Sequence, residues 1–387
     1  MSSAWRLRCF GLACTGALFY PWAGWSQGWW IEAGPVFRGG MKVSAQGTSY
    51  TQMLGLHDPN ATGPLSPPGG IGSLNAYGDR TYDNGYVKQD PGTGNPTSID
   101  PNTTWNWGFN NGAQYNAGAQ TLSFQKQGAP GFNTLANGSP GGDGNYWAGG
   151  FQIVGGIPLL QPDVWTFDLT VGFQGIWGGK QSFSFSSYRE DVRQMTVTDT
   201  YDVSGIGAGS FPAGGFHGTY LGPFDNPPVV PSPVIPNLPA SRSTATSAAL
   251  STSYNSIGFN VDQSLYQFSL GPKIGLENRG VSVYLRPTVS LNIVDANVQR
   301  TEVFIQNLAA GGSAVLGKWS DQAERQQIFF GLGAVGGANF DLGKGFYAGV
   351  FGGYEWVSES LKVTVGPNTL QLDASGWVAG LNVGKRF

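Results

Sequence analysis

Val281-Ser282-Val283-Tyr284-Leu285-Arg286-Pro287-Thr288-Val289-Ser290-Leu291-Asn292-Ile293 alternates without a break. The odd positions carry Val, Leu, Pro or Ile, and the even positions carry Ser, Tyr, Arg, Thr or Asn. Successive side chains of a strand point to opposite faces. This segment therefore reads as a strand with one apolar face and one polar face.

The same period-two pattern recurs in Trp30–Arg38, Tyr146–Ile157, Trp165–Phe173, Tyr266–Leu276, Ile328–Phe340, Phe346–Trp356 and Trp377–Phe387. Connections between these segments alternate in length. Pro158–Asp163, Glu277–Gly280 and Leu342–Gly345 are short and turn-like, whereas Gly39–Asn145, Gly178–Tyr254, Asp295–Arg325 and Val357–Gln371 are long. Tight turns at one end and long loops at the other are the pattern of a transmembrane β-barrel. The reading is an all-β, antiparallel up-and-down barrel of eight strands. Ser182–Tyr188 and Met195–Val203 also alternate. They would either extend the third strand as a protruding hairpin or add a pair and make ten.

Composition agrees. The chain of 387 residues holds 61 Gly, 23 Phe, 15 Tyr and 13 Trp, and only 12% of its residues are charged. That is about half the charge of an ordinary soluble domain. Mean hydropathy is −0.16, too low for a bundle of membrane helices. A net charge of −3 with no basic stripe argues against a nucleic-acid partner. Arg6 and Arg8, the apolar run Cys9–Trp22 and the small residues Ala23, Gly24 and Ser26 read as a secretory leader over 1–26. Both cysteines, Cys9 and Cys14, fall inside it. The expected organisation is a barrel over 27–387 that displays insertions 39–145 and 178–254 outside the cell.

Inside an eight-stranded barrel there is room for little more than side chains. Glu32, Asp168, Lys273 and Arg286 take the inward parity at similar heights, so they are expected to form an interior charge network. Unpaired buried charge is costly, which favours a plug. Intramembrane charge also marks ion paths, which keeps a narrow pore as the alternative. Large rings at Phe329, Tyr347 and Phe351 are expected to fill space left by inward glycines.

The chain ends Asn382-Val383-Gly384-Lys385-Arg386-Phe387. A terminal Phe on an alternating strand resembles the closing signature of Gram-negative outer-membrane barrels of the small eight-stranded type. That resemblance implies residence in the bacterial outer membrane. It makes Phe387 the signal read by the barrel-assembly machinery and lipid the surrounding partner. Lys385 departs from the family pattern, which prefers an apolar residue there.

In the first insertion, Tyr82–Val87, Thr103–Phe109 and Thr121–Gln125 are expected to form small strands with a local aromatic core, or to expose aromatics for an extracellular ligand. The second insertion carries the proline-rich run Pro227–Pro236. The two histidines, His57 and His217, lie in these insertions. With no Gly-x-Ser-x-Gly, His-Glu-x-x-His or phosphate loop, the sequence leads one to expect no catalytic residue, no cofactor and no metal. The expected role is a non-enzymatic surface protein, structural or recognising, with an outer-leaflet hydrolase as the third choice.

Overall fold

The computed structural model describes residues 28–89, 102–135, 141–161, 164–218 and 233–387. The expected leader over 1–26 and most of the proline-rich run lie outside these residues. The main sheet closes on itself. The strands of the ring are β1 (Trp30–Gly47), β2 (Gly141–Leu160), β3 (Trp165–Phe185), β4 (Ser251–Asn278), β5 (Val281–Leu308), β6 (Ser313–Gly343), β7 (Phe346–Val357) and β8 (Gly376–Arg386), and the short strands Gly131–Leu135, Arg189–Arg193, Leu361–Val365 and Asn368–Asp373 extend the same sheet. Each ring strand pairs antiparallel with the next, and β8 returns to β1. A ring of about eight strands leaves no membrane-facing edge with unpaired backbone groups, as hydrocarbon requires.

At one end the strands are joined by tight turns. Arg279-Gly280 and Lys344-Gly345 both have positive φ at their two central residues, as a type I′ hairpin demands. At the other end the strands run further than the expected boundaries. β5 and β6 continue through the supposed loop Asp295–Arg325 and turn only at 309–312. The Ser182–Tyr188 segment continues β3 as far as Phe185. Met195–Asp202 instead joins a separate four-stranded sheet with Thr121–Gln127, Ser241–Thr246 and Tyr115–Asn116.

The ladder keeps its facing while its polarity reverses. Along the lower part of β5, Val283, Leu285, Val289 and Leu291 point out and are exposed, while Arg286, Ser290 and Asn292 point in and are buried. Over the next six residues the buried inward positions are Val294, Ala296 and Val298, and the outward ones are Asp295, Asn297 and Gln299. β4 changes at the same height. Below it Leu270 and Leu276 face out, and above it Leu265, Val261, Phe259 and Ile257 face in. A greasy outside with a polar inside suits a bilayer, and the reverse suits water.

The apolar band on β5 runs from Val281 to Ile293. At about 3.3 Å per residue and a tilt near 45°, that is about 28 Å of height, close to a hydrocarbon core. Aromatic rings mark both rims. Trp147, Trp177, Tyr354 and Trp377 lie at the rim nearer the long insertions and Trp29, Trp165, Phe346 and Phe387 at the tight-turn rim, all exposed.

Two outward prolines interrupt the ladder. Pro272 and Pro287 sit in the middle of the band. The β4–β5 ladder skips from Leu270↔Val289 to Ile274↔Leu285, so the two residues that lack N–H groups share one interruption. Each stays paired on its other side, Pro272 with Leu169 and Pro287 with Ala334.

Candidate functional site

Three levels of the interior carry chemistry. The lowest lies within the band. Glu32 on β1 points inward and is fully buried. Arg286 Nη1 approaches its carboxylate at 3.5 Å, and Lys273 Nζ at 3.7 Å. Tyr347 Oη donates to the same carboxylate at 3.2 Å. Asp168 stands directly across the ladder from Lys273. It accepts from Trp30 Nε1 at 2.8 Å. The Lys273 ammonium lies between the Trp30 ring at 4.0 Å and the Tyr284 ring at 4.3 Å. The structure thus gathers Glu32, Lys273 and Arg286 into one cluster and places Asp168 beside it through Trp30. Phe387 stacks on Trp29 at 4.0 Å, so the segments flanking β1 and β8 meet at the tight-turn end of the ring.

The middle level is apolar. Ile176, Ile257, Phe259, Val261, Leu265, Val294, Ala296 and Val298 fill the ring just above the band, each 2% exposed or less. At its foot, Arg38 Nη1 pairs with Glu355 at 2.5 Å, and Arg38 Nε donates to Ala374 O at 2.9 Å. The inward parities of Arg38 and Glu355 could have flagged this pair from the sequence.

The top level is where the first insertion meets the barrel. Ser49 caps the short helix Tyr50–Met53 by accepting from Gln52 N. The amides of Tyr50 and Thr51 donate to Glu302 on β5 at 2.8 and 3.0 Å, and Arg300 pairs with the same carboxylate. Burial alone would raise the Glu302 pKa. The amides, the Thr51 hydroxyl and Arg300 outweigh it and hold the carboxyl below its ordinary range. A few residues on, the Asp58 carboxylate accepts from Ser251 Oγ at 2.8 Å, Ser253 Oγ at 2.7 Å and Gln306 Nε2 at 2.6 Å.

Next to Asp58, His57 Nδ1 lies 2.8 Å from Glu190 Oε2, and the Asp58 amide donates to Glu190 Oε1 at 2.9 Å. Glu190 is fully buried, whereas the His57 side chain is 47% exposed. The ring stacks on Phe132 at 4.4 Å. Tyr188 also donates to Glu190. Burial, reinforced by that carboxylate, pushes the Tyr188 hydroxyl up, so it remains a donor. No periodicity or motif linked His57 to Glu190, which lie 133 residues apart. The other histidine, His217, stacks on Tyr86 at 6.1 Å in the outer sheets.

Those sheets have a core of their own. Tyr82, Val87, Trp107, Phe109, Leu122, Phe124, Val197 and Tyr201 form one buried cluster. Trp107 is fully buried and Trp105 nearly so, so these rings are packing groups before anything else. Among the described residues no group of acidic, His or Cys side chains is arranged to hold a metal.

No protein-family model matches the chain, and no curated protein does. Among solved structures, the outer membrane protease OmpT from Escherichia coli is similar over 92% of this chain and 97% of its own, at 8% identity and a TM-score of 0.31. A monoaromatic hydrocarbon channel, a TodX mutant, aligns over 95% of this chain and 91% of its own, at 8% identity and a TM-score of 0.14. The first match corrects one expectation. "Not an enzyme" does not stand when a barrel spanning nearly the whole chain is a protease. The physical reason is that missing local motifs exclude only the families those motifs define. Side chains from distant insertions can converge, as His57 and Glu190 do. Likeness at this level assigns no activity, substrate or residue. In architecture the chain is a closed antiparallel β-barrel with an apolar outer band.

Proposed function

We propose that this is a barrel of the small eight-stranded kind, sealed to solutes, that holds a folded module outside the cell for recognition or envelope structure. One observation carries the reading. At the level of Leu265 and Val294 the interior changes from polar to apolar, and the outer wall changes the other way. The apolar level blocks a water-filled path, and the wall above it is built for water. Insertions 39–145 and 178–254 then belong on the extracellular side, with outer-membrane lipid around the band and Phe387 as the assembly signal. The Glu32, Asp168, Lys273 and Arg286 network acts as filling for the lumen. Hydration along a narrow pore would have to displace side chains that are almost completely buried.

Planar-bilayer recording tests the reading. Purified protein is expected to show no stable single-channel steps. Reproducible steps that Arg286→Ala alters would replace it with the pore. Surface labelling checks the orientation. Cysteine at Gln299 is expected to react with a membrane-impermeant maleimide on intact cells, and cysteine at Ser282 is not.

A further inference from the structure

His57 carries an inference that does not depend on the recognition role. Its ring presents one nitrogen to a buried carboxylate and leaves the other half of the imidazole toward solvent. Nδ1 faces both Glu190 Oε2 at 2.8 Å and Tyr188 Oη at 3.2 Å; Tyr188 donates to Glu190, and a carboxylate only accepts, so the nearer contact puts the His57 proton on Nδ1. Nε2 then carries the free lone pair. The Asp58 amide fixes the other oxygen of Glu190, and Phe132 fixes the plane of the ring. A base oriented by a third group is the arrangement general-base catalysis requires.

We infer that His57 is a general base at the extracellular tip that activates water against soluble carboxylic esters, with Glu190 as its positioning residue. His57 Nε2 takes a proton from water as the water oxygen bonds to the acyl carbon. The bond from that carbon to the alcohol oxygen then breaks. The imidazolium returns its proton to the departing alkoxide, leaving an acid and an alcohol. No oxidant or metal is needed.

Two magnitudes choose the substrate. Glu190 pairs with Ser253 on β4, twelve residues above Leu265. That places the site about 28 Å beyond the band, out of reach of lipid ester groups. A positioned base supplies about 10²–10⁴-fold. This suffices for an ester with a good leaving group and falls far short of what an amide needs.

The test uses the full-length protein in detergent with 4-nitrophenyl acetate. His57→Gln keeps a donor for Glu190, and heat-modifiable gel migration confirms that it folds. Its rate is expected to fall about 100-fold, the lower end of general-base catalysis. His217→Ala, which removes the other imidazole, is expected to leave the rate unchanged. Glu190→Gln is expected to lower kcat with little change in KM, because the ring still admits the ester but is no longer held with Nε2 aimed at the water, and Glu190→Asp, which restores an accepting carboxylate, is expected to recover part of the loss. A His57→Gln rate within twofold of the parent overturns the proposal. So does an equal loss with His217→Ala. A kcat for Glu190→Gln within twofold of the parent overturns the role of Glu190.

Discussion

Leu265 and Val294 are direct cross-strand partners, and both are buried inside the ring. Their neighbours Tyr266 and Ile293 pair at the same height and face outward. The residue step across this line moves a β5 side chain from a polar lumen to an apolar core without changing which way it points. The line therefore marks one edge of the apolar band. Two substitutions on the same outward face should differ sharply. Leu285→Arg, near mid-band, is expected to cost about 2–4 kcal/mol in reversible urea folding into vesicles. Gln299→Arg, above the line, is expected to change stability by less than about 0.5 kcal/mol. Equal costs would move the membrane boundary.

Glu32 answers both Lys273 and Arg286. Glu32→Gln leaves two buried cations facing each other and is expected to cost about 3–5 kcal/mol. Arg286→Met removes one of them. The Glu32→Gln/Arg286→Met double variant is expected to be more stable than the sum of the two single losses predicts. A double-mutant cycle by urea unfolding reads the coupling. Additive losses would mean that the cluster does not act as one unit.

Much of the fold was legible because the pleat has a period of two. The run Val281–Ile293 shows which side is wet from spacing alone, and Glu32, Lys273 and Arg286 could be grouped for the same reason. Asp295–Arg325 was misread as a loop because the pattern reverses sign there instead of ending. A template that asks for apolar outside and polar inside stops matching at Ile293, though the strand runs on to Leu308. The His57–Glu190 pair was illegible for another reason. Both residues lie outside the membrane-spanning strands, and tertiary contact alone brings them together. The small strands of the first insertion were legible from their aromatics, although a packed core and an open binding face use the same residues.

Glu302 joins the first insertion to β5 through the Tyr50 and Thr51 amides. Its carboxyl is held below the ordinary range in the folded protein. The stability it contributes is therefore fully present above the unfolded value, about 4.3. It is lost as pH falls through the lower folded value. Amide exchange of Tyr50 and Thr51, followed from pH 6 down to about pH 3, should accelerate beyond the intrinsic pH trend. In Glu302→Gln the protection should be weaker and should not vary with carboxyl titration. A parent protein with flat protection across that range would contradict the assignment.

Tyr347 faces Gly384 across the β7–β8 ladder. A Cβ added at Gly384 would fall inside the Tyr347 ring, and the nearest atoms are all from that side chain. Gly380 is crowded by Phe351 as well as by the Pro35 carbonyl. The two sites should therefore respond differently to relief. Gly384→Ala is expected to cost about 1–3 kcal/mol through overpacking. Tyr347→Ala in the same chain should recover most of that overpacking cost, leaving mainly the loss of the ring and its bond to Glu32. Gly380→Ala combined with Phe351→Ala should recover much less, because the Pro35 backbone cannot give way. Urea midpoints of the four single and two double variants decide the matter. Full recovery at both sites would show that the rings alone set the need for glycine on β8, and no recovery at either would show that the backbone does.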